Sequence, residues 1–124
     1  MTFTQAIKSG FSNYINFTGR ASRSAFWYWV LFAFLVGIVA DAVDFSTAPD
    51  DLMSSSFLAS RLWMLVTLLP NLAVAARRLH DTNRSGFWLF IGLVPLIGSI
   101  WLLVLWCFKG TSGPNKYGAD PLAA

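Results

Sequence analysis

Three long stretches without charged residues constrain this chain more than any other feature of its sequence. They cover residues 24–40, 62–76 and 87–108, and polar segments separate them. A helix needs about 20 mostly apolar residues to cross the hydrocarbon layer of a bilayer. Inside that layer the backbone polar groups of each segment must be paired with one another. The sequence therefore predicts an all-α membrane protein.

The overall composition also favours a membrane protein. Of 124 residues, 56% are hydrophobic and 12% are charged, whereas soluble domains average about 25% charged residues. No flexible linker divides the chain, so we expect a single integral membrane domain over residues 1–124. The net charge is +3, but the basic residues lie beside the apolar stretches instead of forming one stripe. This distribution argues against a nucleic-acid partner.

Periodicity and turn residues divide this domain into five parts. Apolar residues recur at helical spacing in residues 1–16, which predicts an amphipathic helix that lies in the membrane interface or packs on the bundle. We expect transmembrane segments at residues 24–43, 57–78 and 86–108, followed by a polar tail at residues 109–124. The predicted fold is a compact bundle of three transmembrane segments with an N-terminal interfacial helix.

The third apolar stretch contains a break sequence between Pro95 and Gly98. As one helix, residues 87–108 would measure about 33 Å, which is enough for one crossing. A shallow re-entrant pair of short helices is the alternative, and it would return the tail to the side from which the stretch began. We favour one broken transmembrane span, which can also be counted as two helices. For the tail itself, an ordered turn against the bundle and a flexible end are both compatible with the sequence.

Pro70 and Asn71 occupy the middle of the second segment. Proline removes one backbone hydrogen bond and clashes with the preceding turn, so we expect a kink that frees a carbonyl near Val66. Asn71 is the strongly polar residue at that depth, and we expect it to form a hydrogen bond to another helix.

The basic residues indicate the orientation of the chain. Residues 41–60, between the first two segments, contain four aspartates and no lysine or arginine. Because cytoplasmic loops carry an excess of lysine and arginine, we place the N-terminus in the cytoplasm and this acidic loop outside. The basic residues of the predicted cytoplasmic side are Lys8, Arg20, Arg23, Arg77, Arg78 and Arg84.

Polar residues at the ends of the segments form the candidate site. Convergent arginines bind phosphate or carboxylate through paired hydrogen bonds, so an anionic lipid headgroup is the expected ligand. The alternative is that these arginines only fix the orientation of the chain. His80 and Asp81 are adjacent, but sequence neighbours on a helix rarely face each other. We predict no catalytic residue, no metal site and no cofactor.

Several motifs resemble those of a known family. They are FTGRASRSAFW at residues 17–27, a segment at 69–86 that ends in RRLHDTNRSG, and residues 95–98 and 110–121. In these motifs the chain resembles domain-of-unknown-function family 805, small bacterial inner-membrane proteins of the YhaH type. The resemblance implies a multi-pass protein of the bacterial inner membrane, and it implies no reaction. Together with the basic cluster it gives ten ligand or headgroup candidates: Gly19, Arg20, Arg23, Arg77, Arg78, His80, Asp81, Arg84, Ser85 and Gly86.

Three functional hypotheses follow. We favour a non-enzymatic membrane protein whose arginine, histidine and aspartate cluster stabilises the bundle and binds anionic lipids or a partner protein. A second hypothesis is an oligomeric small-solute transporter or channel component, with Pro70 and Pro95 at the ends of a path. A third is a membrane enzyme that uses His80 and Asp81. A homo-oligomer is a further expected association.

Overall fold

The computed structural model describes residues 2–47 and 58–122. Part of the predicted acidic loop, the predicted start of the second segment at residue 57 and the last two residues of the tail lie outside this description. Within it the chain is helical and contains no β-strand. The helices are α1 Phe3–Ser12, α2 Arg23–Thr47, α3 Leu58–Asp81 and α4 Ile97–Cys107, with a 3₁₀ helix, Gly86–Leu93, between α3 and α4.

Helices α2 and α3 are long and apolar enough to cross a membrane, over Arg23–Ser46 and Leu58–Asp81. Their mean hydropathies are 2.0 and 1.5. Yet only 17% and 28% of an 18-residue apolar stretch in each helix is buried inside the protein. A helix in the core of a soluble protein would bury its apolar residues. Exposed side chains such as Phe34, Ile38 and Leu65 instead give these helices a surface suited to lipid tails.

Side-chain caps define where α2 and α3 begin. The Oγ atom of Ser22 accepts a hydrogen bond from the backbone N–H of Ala25 at 3.2 Å. At the start of α3 the cap comes from α2, because the Asp44 carboxylate accepts the backbone N–H groups of Ala59 at 2.8 Å and Ser60 at 3.0 Å. Such bonds satisfy helix donors that have no partner within their own helix. The Asp44 cap therefore joins the ends of the two long helices.

The middle of α3 is joined to its neighbours by polar bonds. The indole N–H of Trp29 in α2 donates to Oδ1 of Asn71 at 2.7 Å, which confirms the expected interhelical role of Asn71. Helix α3 continues through Pro70, and proline cannot donate to the carbonyl one turn earlier. That carbonyl belongs to Val66, and the hydroxyl of Tyr14 donates to it. The freed carbonyl predicted near Val66 is therefore paired.

Helix α1 packs along α2. Phe3 meets Tyr28 edge-to-face with ring centroids 5.8 Å apart, and Phe11 meets Trp29 in the same way at 5.2 Å. Gly10 allows this approach, because a Cβ atom there would lie 2.1 Å from Cε3 of Trp29. The apolar face of α1 is thus used against the bundle, which is one of the two predicted alternatives. Placement of α1 in the membrane interface stays a prediction.

The third apolar stretch folds as a hairpin. The 3₁₀ helix and α4 run back along each other, so closely that a Cβ atom on Gly98 would lie 1.7 Å from the carbonyl oxygen of Ile91. The turn between them contains Leu96 at a φ of +66°. Leu102 and Leu105 of α4 are buried against Leu79 of α3, which holds the hairpin on α3.

Both ends of this hairpin lie at the last turn of α3, so the structure matches the re-entrant alternative and does not confirm the favoured single broken crossing. At one end, Gly86 lies next to His80. At the other end, Arg78 donates to the carbonyl of Phe108. An eight-residue 3₁₀ helix and an eleven-residue α-helix are each only about 16 Å long. Each arm is thus about half as long as a crossing requires, and the tail returns to the Asp81 end of the bundle.

Candidate functional site

Asp81, the last residue of α3, is the centre of the polar cluster. Its Oδ1 atom accepts a hydrogen bond from Nε of Arg20 at 3.0 Å, and its Oδ2 atom accepts one from Nη1 of Arg78 at 2.5 Å. The exposed fractions of the arginine side chains are 1% and 0%, and that of the aspartate is 4%. The carboxylate is therefore bound on both sides by buried cations. The sequence placed all three residues in the candidate site, and the structure brings them together.

Arg20 extends the cluster to the tail. Its Nη1 atom donates to the carbonyl oxygens of Gly113 at 2.7 Å and Gly118 at 3.3 Å. Its Nη2 atom donates to the carbonyl oxygens of Thr111 at 2.5 Å and Asp81 at 3.4 Å. One side chain from the segment before α2 thus fastens the tail to the end of α3.

Arg78 fastens the hairpin. Its Nε atom donates to the carbonyl of Trp106 at 3.1 Å, its Nη1 atom also donates to the carbonyl of Ala21 at 3.3 Å, and its Nη2 atom donates to the carbonyl of Phe108. These bonds direct the guanidinium groups of Arg78 and Arg20 to protein atoms. The geometry therefore argues against the interpretation of these two arginines as headgroup ligands.

The tail closes over the cluster. A Cβ atom on Gly110 would lie 1.9 Å from Oδ2 of Asp81, so the chain passes directly over the carboxylate. The backbone N–H of Thr111 donates to the carbonyl of Asp81 at 2.7 Å. Of the two alternatives for the tail, the structure shows the ordered turn against the bundle through Leu122.

Asp120 stabilises the turn within the tail. Its carboxylate accepts the backbone N–H of Leu122 and that of Gly113, both at 2.9 Å. These two bonds favour the ionised form and lower the pKa of Asp120. Gly113 and Gly118 have φ values of +76° and +133°, a region that favours glycine, so the turn depends on these residue types.

His80 is separated from the carboxylate of its sequence neighbour Asp81. Its Nδ1 atom lies 2.9 Å from the carbonyl oxygen of Gly19, and its ring stacks on Tyr117 with centroids 4.1 Å apart and planes at 2°. Because a carbonyl only accepts, the proton of the neutral ring is assigned to Nδ1, and Nε2 is an acceptor. The histidine–aspartate relay required by the enzyme hypothesis is not formed, since Arg20 and Arg78 occupy the carboxylate.

An apolar groove of about 600 Å³ lies beside His80, between α3 and the 3₁₀ helix. Leu72 and Ala76 line it from α3, and Phe87, Phe90 and Leu93 line it from the 3₁₀ helix. His80, Ser85 and Gly86 lie at its polar end, so three of the predicted site residues line this groove and not the Asp81 cluster.

Three predicted site arginines lie outside the bonds to Asp81. Arg77 is 5% exposed, and its Nε and Nη2 atoms have no hydrogen-bond partner in the described ranges 2–47 and 58–122. Arg23 is exposed. Arg84 is half-buried, donates to the carbonyl of Thr82 at 3.4 Å, and lies 5.9 Å from the centre of the Phe108 ring. The structure therefore separates the five predicted site arginines into Arg20 and Arg78, which bind Asp81, and Arg23, Arg77 and Arg84, which do not.

The two proline positions assigned to a solute path in the transporter hypothesis have other surroundings. The carbonyl freed by Pro70 is paired with Tyr14, and neighbouring Asn71 is paired with Trp29. Pro95 lies in the exposed turn of the hairpin. Within the described residues, these two positions thus shape the bundle.

Comparison with known proteins places the chain in a family. A family model described as "Protein of unknown function (DUF805)" matches residues 14–119, a segment that includes the Asp81 cluster and the groove. The chain belongs to the DUF805 family. No solved structure matches it.

Relatives of this DUF805 protein are found in Escherichia coli. Inner membrane protein YhaI of strain K12 is 44% identical over 109 residues, which cover 88% of each chain. Inner membrane protein YhaH of the same strain is 34% identical over 113 residues, which cover 88% of this chain and 89% of the relative. Uncharacterized protein YiiR is 32% identical over 131 residues, 85% of each chain. The resemblance inferred from the motifs is confirmed, and two of these relatives are inner membrane proteins by name.

Sequence reasoning missed the part of the DUF805 chain that completes the cluster. The carbonyls of Thr111 and Gly113 and the close approach of Gly110 come from the tail, which we treated as a separate polar segment. The stacking of Tyr117 on His80 was also missed. The available signal was the group of glycines in residues 110–118, because glycine permits close approach and unusual turns.

Proposed function

We propose that this DUF805 protein is a non-enzymatic inner-membrane protein that binds anionic lipid headgroups at the Asp81 end of its bundle. In this proposal Arg20, Arg78 and Asp81 stabilise the bundle, and Arg77, Arg23 and Arg84 attract the lipid. The division follows the hydrogen bonds, because the first two arginines donate to protein carbonyls and to Asp81 while the donors of Arg77 have no partner in the described part of the chain.

The observation that carries the proposal is an excess of buried positive charge. Three arginine side chains, Arg20, Arg77 and Arg78, are almost completely buried, and the carboxylate in contact with two of them is Asp81. A buried charge without a partner is costly. A lipid phosphate would supply both negative charge and acceptors for Nε and Nη2 of Arg77.

The accessible arginines give a route for first contact. Arg23 is exposed at the start of α2, and Arg84 is half-buried after α3, so both belong to the same end of the bundle as Asp81. A basic residue near an anionic membrane surface contributes about 1 kcal/mol of attraction. The non-enzymatic part of the proposal is supported by the positions of Asp81 and His80, which face different partners.

Native mass spectrometry with added phosphatidylglycerol tests the proposal. Arg77→Gln removes the unpartnered guanidinium group, and Arg61→Gln is the matched control, because Arg61 is an exposed arginine in the first turn of the same helix. We expect Arg77→Gln to weaken phosphatidylglycerol binding about fivefold, the effect of about 1 kcal/mol, and Arg61→Gln to bind like the wild type.

Two further readings complete this experiment. Arg23→Gln should weaken binding in the same direction as Arg77→Gln, and circular dichroism should show unchanged helix content in each variant. Equal phosphatidylglycerol binding by Arg77→Gln, Arg23→Gln and Arg61→Gln would contradict the proposal. The masses also give the number of chains in each complex, which tests the expectation of a homo-oligomer.

A further inference from the structure

We infer that the groove beside His80 binds a membrane lipid, with an acyl chain along the 3₁₀ helix and a headgroup hydroxyl that donates a hydrogen bond to Nε2 of His80. This site differs from the arginine site proposed above, because its polar atom is a neutral acceptor and its ligand is recognised by a donor. The two sites can therefore be tested separately.

The first observation is the fixed orientation of the His80 ring. His80 is 8% exposed. The hydrogen bond between its Nδ1 atom and the Gly19 carbonyl, together with the stack on Tyr117, fixes the orientation of the ring. Nε2 has no partner in the described part of the chain, and it lies 3.5 Å from the position of a Cβ atom on Gly86. Gly86 and His80 both line the groove, so Nε2 is presented to an occupant.

The second observation is the chemistry of the groove. Its walls are almost entirely apolar, and its volume of about 600 Å³ lies in the usual range of ligand sites, about 300–1,000 Å³. The 3₁₀ helix that forms one wall is about 16 Å long, which gives an extended chain a continuous surface. An apolar wall with one acceptor at its end matches an amphiphile with an acyl chain and a hydroxyl donor.

The third observation is where the groove opens. Phe87, Phe90 and Leu93 on its rim are 76%, 63% and 79% exposed. Exposed apolar side chains of this size belong in hydrocarbon, so the groove opens sideways to the bilayer and not to water. A lipid can therefore enter from the membrane. If lipid tails alone occupied the groove, Nε2 would have no hydrogen-bond donor. The experiment therefore measures whether a headgroup hydroxyl increases the affinity.

The test compares phosphatidylglycerol with phosphatidylmethanol of the same acyl chains. Both lipids carry one negative charge, but only the glycerol headgroup has hydroxyl donors. In native mass spectrometry of the full chain we expect phosphatidylglycerol to bind about three- to tenfold more tightly, the usual effect of one hydrogen bond. Arg77→Gln should weaken both lipids equally, because both carry the phosphate that the Arg77 guanidinium group would bind.

Variants of the groove localise this preference. Gly86→Ala places a Cβ atom next to Nε2 of His80, and this atom would lie 3.3 Å from Cβ of Ala76. Leu72→Phe fills the groove from α3. The matched control is Leu65→Phe, another exposed leucine of α3 that does not line the groove. We expect both groove variants to abolish the preference for phosphatidylglycerol and the control to keep it. Leu72→Phe changes no backbone contact of the hairpin, so it remains informative if Gly86→Ala does not fold.

A photoreactive phosphatidylglycerol with a diazirine in its acyl chain gives an independent readout. We expect crosslinks to residues 72–76 and 86–93, and fewer of them in Leu72→Phe than in Leu65→Phe. Equal affinity of the wild type for the two lipids, a preference that persists in both groove variants, or crosslinks confined to other segments would each overturn the His80 proposal. Loss of charge-dependent binding in Arg77→Gln would still support the arginine site, so the two proposals fail separately.

Discussion

The two ends of α3 are each held by one buried aspartate, but the partners of the two carboxylates differ. Asp44 lies at the N-terminal end and accepts backbone N–H groups of Ala59 and Ser60. Asp81 lies at the C-terminal end and is bound by Arg20 and Arg78. A helix carries partial positive charge at its N-terminus and partial negative charge at its C-terminus. The same residue type is stabilised by the helix itself at one end and requires external cations at the other.

The two ends also differ in how much of the chain depends on them. The Asp44 cap joins α2 to α3. Asp81, through Arg20 and Arg78, joins the segment before α2, the end of α4 and the tail to the last turn of α3. We therefore expect substitutions at the Asp81 end to cost more stability than substitutions at the Asp44 end.

Asp81→Asn gives the largest expected effect. The substitution keeps the shape of the side chain but leaves two buried guanidinium groups without an anion, which costs about 3–5 kcal/mol when one partner of a buried pair is removed. The free energy of unfolding, measured by denaturant titration in detergent micelles, should fall by this amount. Asp41→Asn is the control, because Asp41 is exposed on α2, and a similar loss in both variants would contradict the central role of Asp81.

The comparison of the two ends also shows which features the sequence predicts. Five arginines, His80 and Asp81 near segment ends were enough to identify the polar end of the bundle, because charged groups are excluded from hydrocarbon and gather at its border. Asn71 was expected to bond another helix because it is a polar residue in the middle of a transmembrane segment, and it does. Sequence could not name Trp29 as its partner, since that pairing depends on how α2 and α3 are rotated against each other.

The hairpin and the tail could not be predicted in the same way. Residues 87–108 are numerous enough for one crossing, and the break at Pro95 fits both a broken span and a hairpin. The outcome depends on contacts between distant residues, such as Leu79 with Leu102 and Arg78 with the carbonyl of Phe108. No local pattern in the chain encodes those pairs.

Gly110→Ala tests how closely the tail covers the Asp81 end. The added Cβ atom would overlap Oδ2 of Asp81 at 1.9 Å, so the tail or the carboxylate must move. Overpacking of this kind costs about 1–3 kcal/mol. The matched control is Gly37→Ala, where the nearest side-chain atom would be 3.9 Å away. We expect thermal unfolding at a lower temperature for Gly110→Ala only, and equal melting of the two variants would show that the tail is not tightly packed on Asp81.

Asp44→Ala tests the other end of α3. Loss of a helix cap costs about 0.5–2 kcal/mol, less than the loss expected for Asp81→Asn, because the backbone N–H groups of Ala59 and Ser60 that the carboxylate caps are neutral donors. The unfolding free energies of Asp44→Ala, Asp44→Asn and Asp81→Asn, measured in the same detergent, give the comparison directly. If Asp44→Asn destabilises the protein as much as Asp81→Asn does, the distinction between the two ends is wrong.

Between the two ends, the bond from Trp29 to Asn71 should contribute least. Both side chains would find other partners in an unfolded chain that stays in the membrane, so interhelical hydrogen bonds there average only about 0.6 kcal/mol. A double-mutant cycle of Trp29→Phe and Asn71→Leu should give a coupling free energy of this size. The cycle of Trp63→Phe with Asn71→Leu is the control, because the Trp63 indole N–H donates to the carbonyl of Ala33 at 3.0 Å and not to Asn71. Equal coupling in both cycles would mean that Asn71 acts through general packing, and the polar bonds that matter for α3 would then lie at its ends.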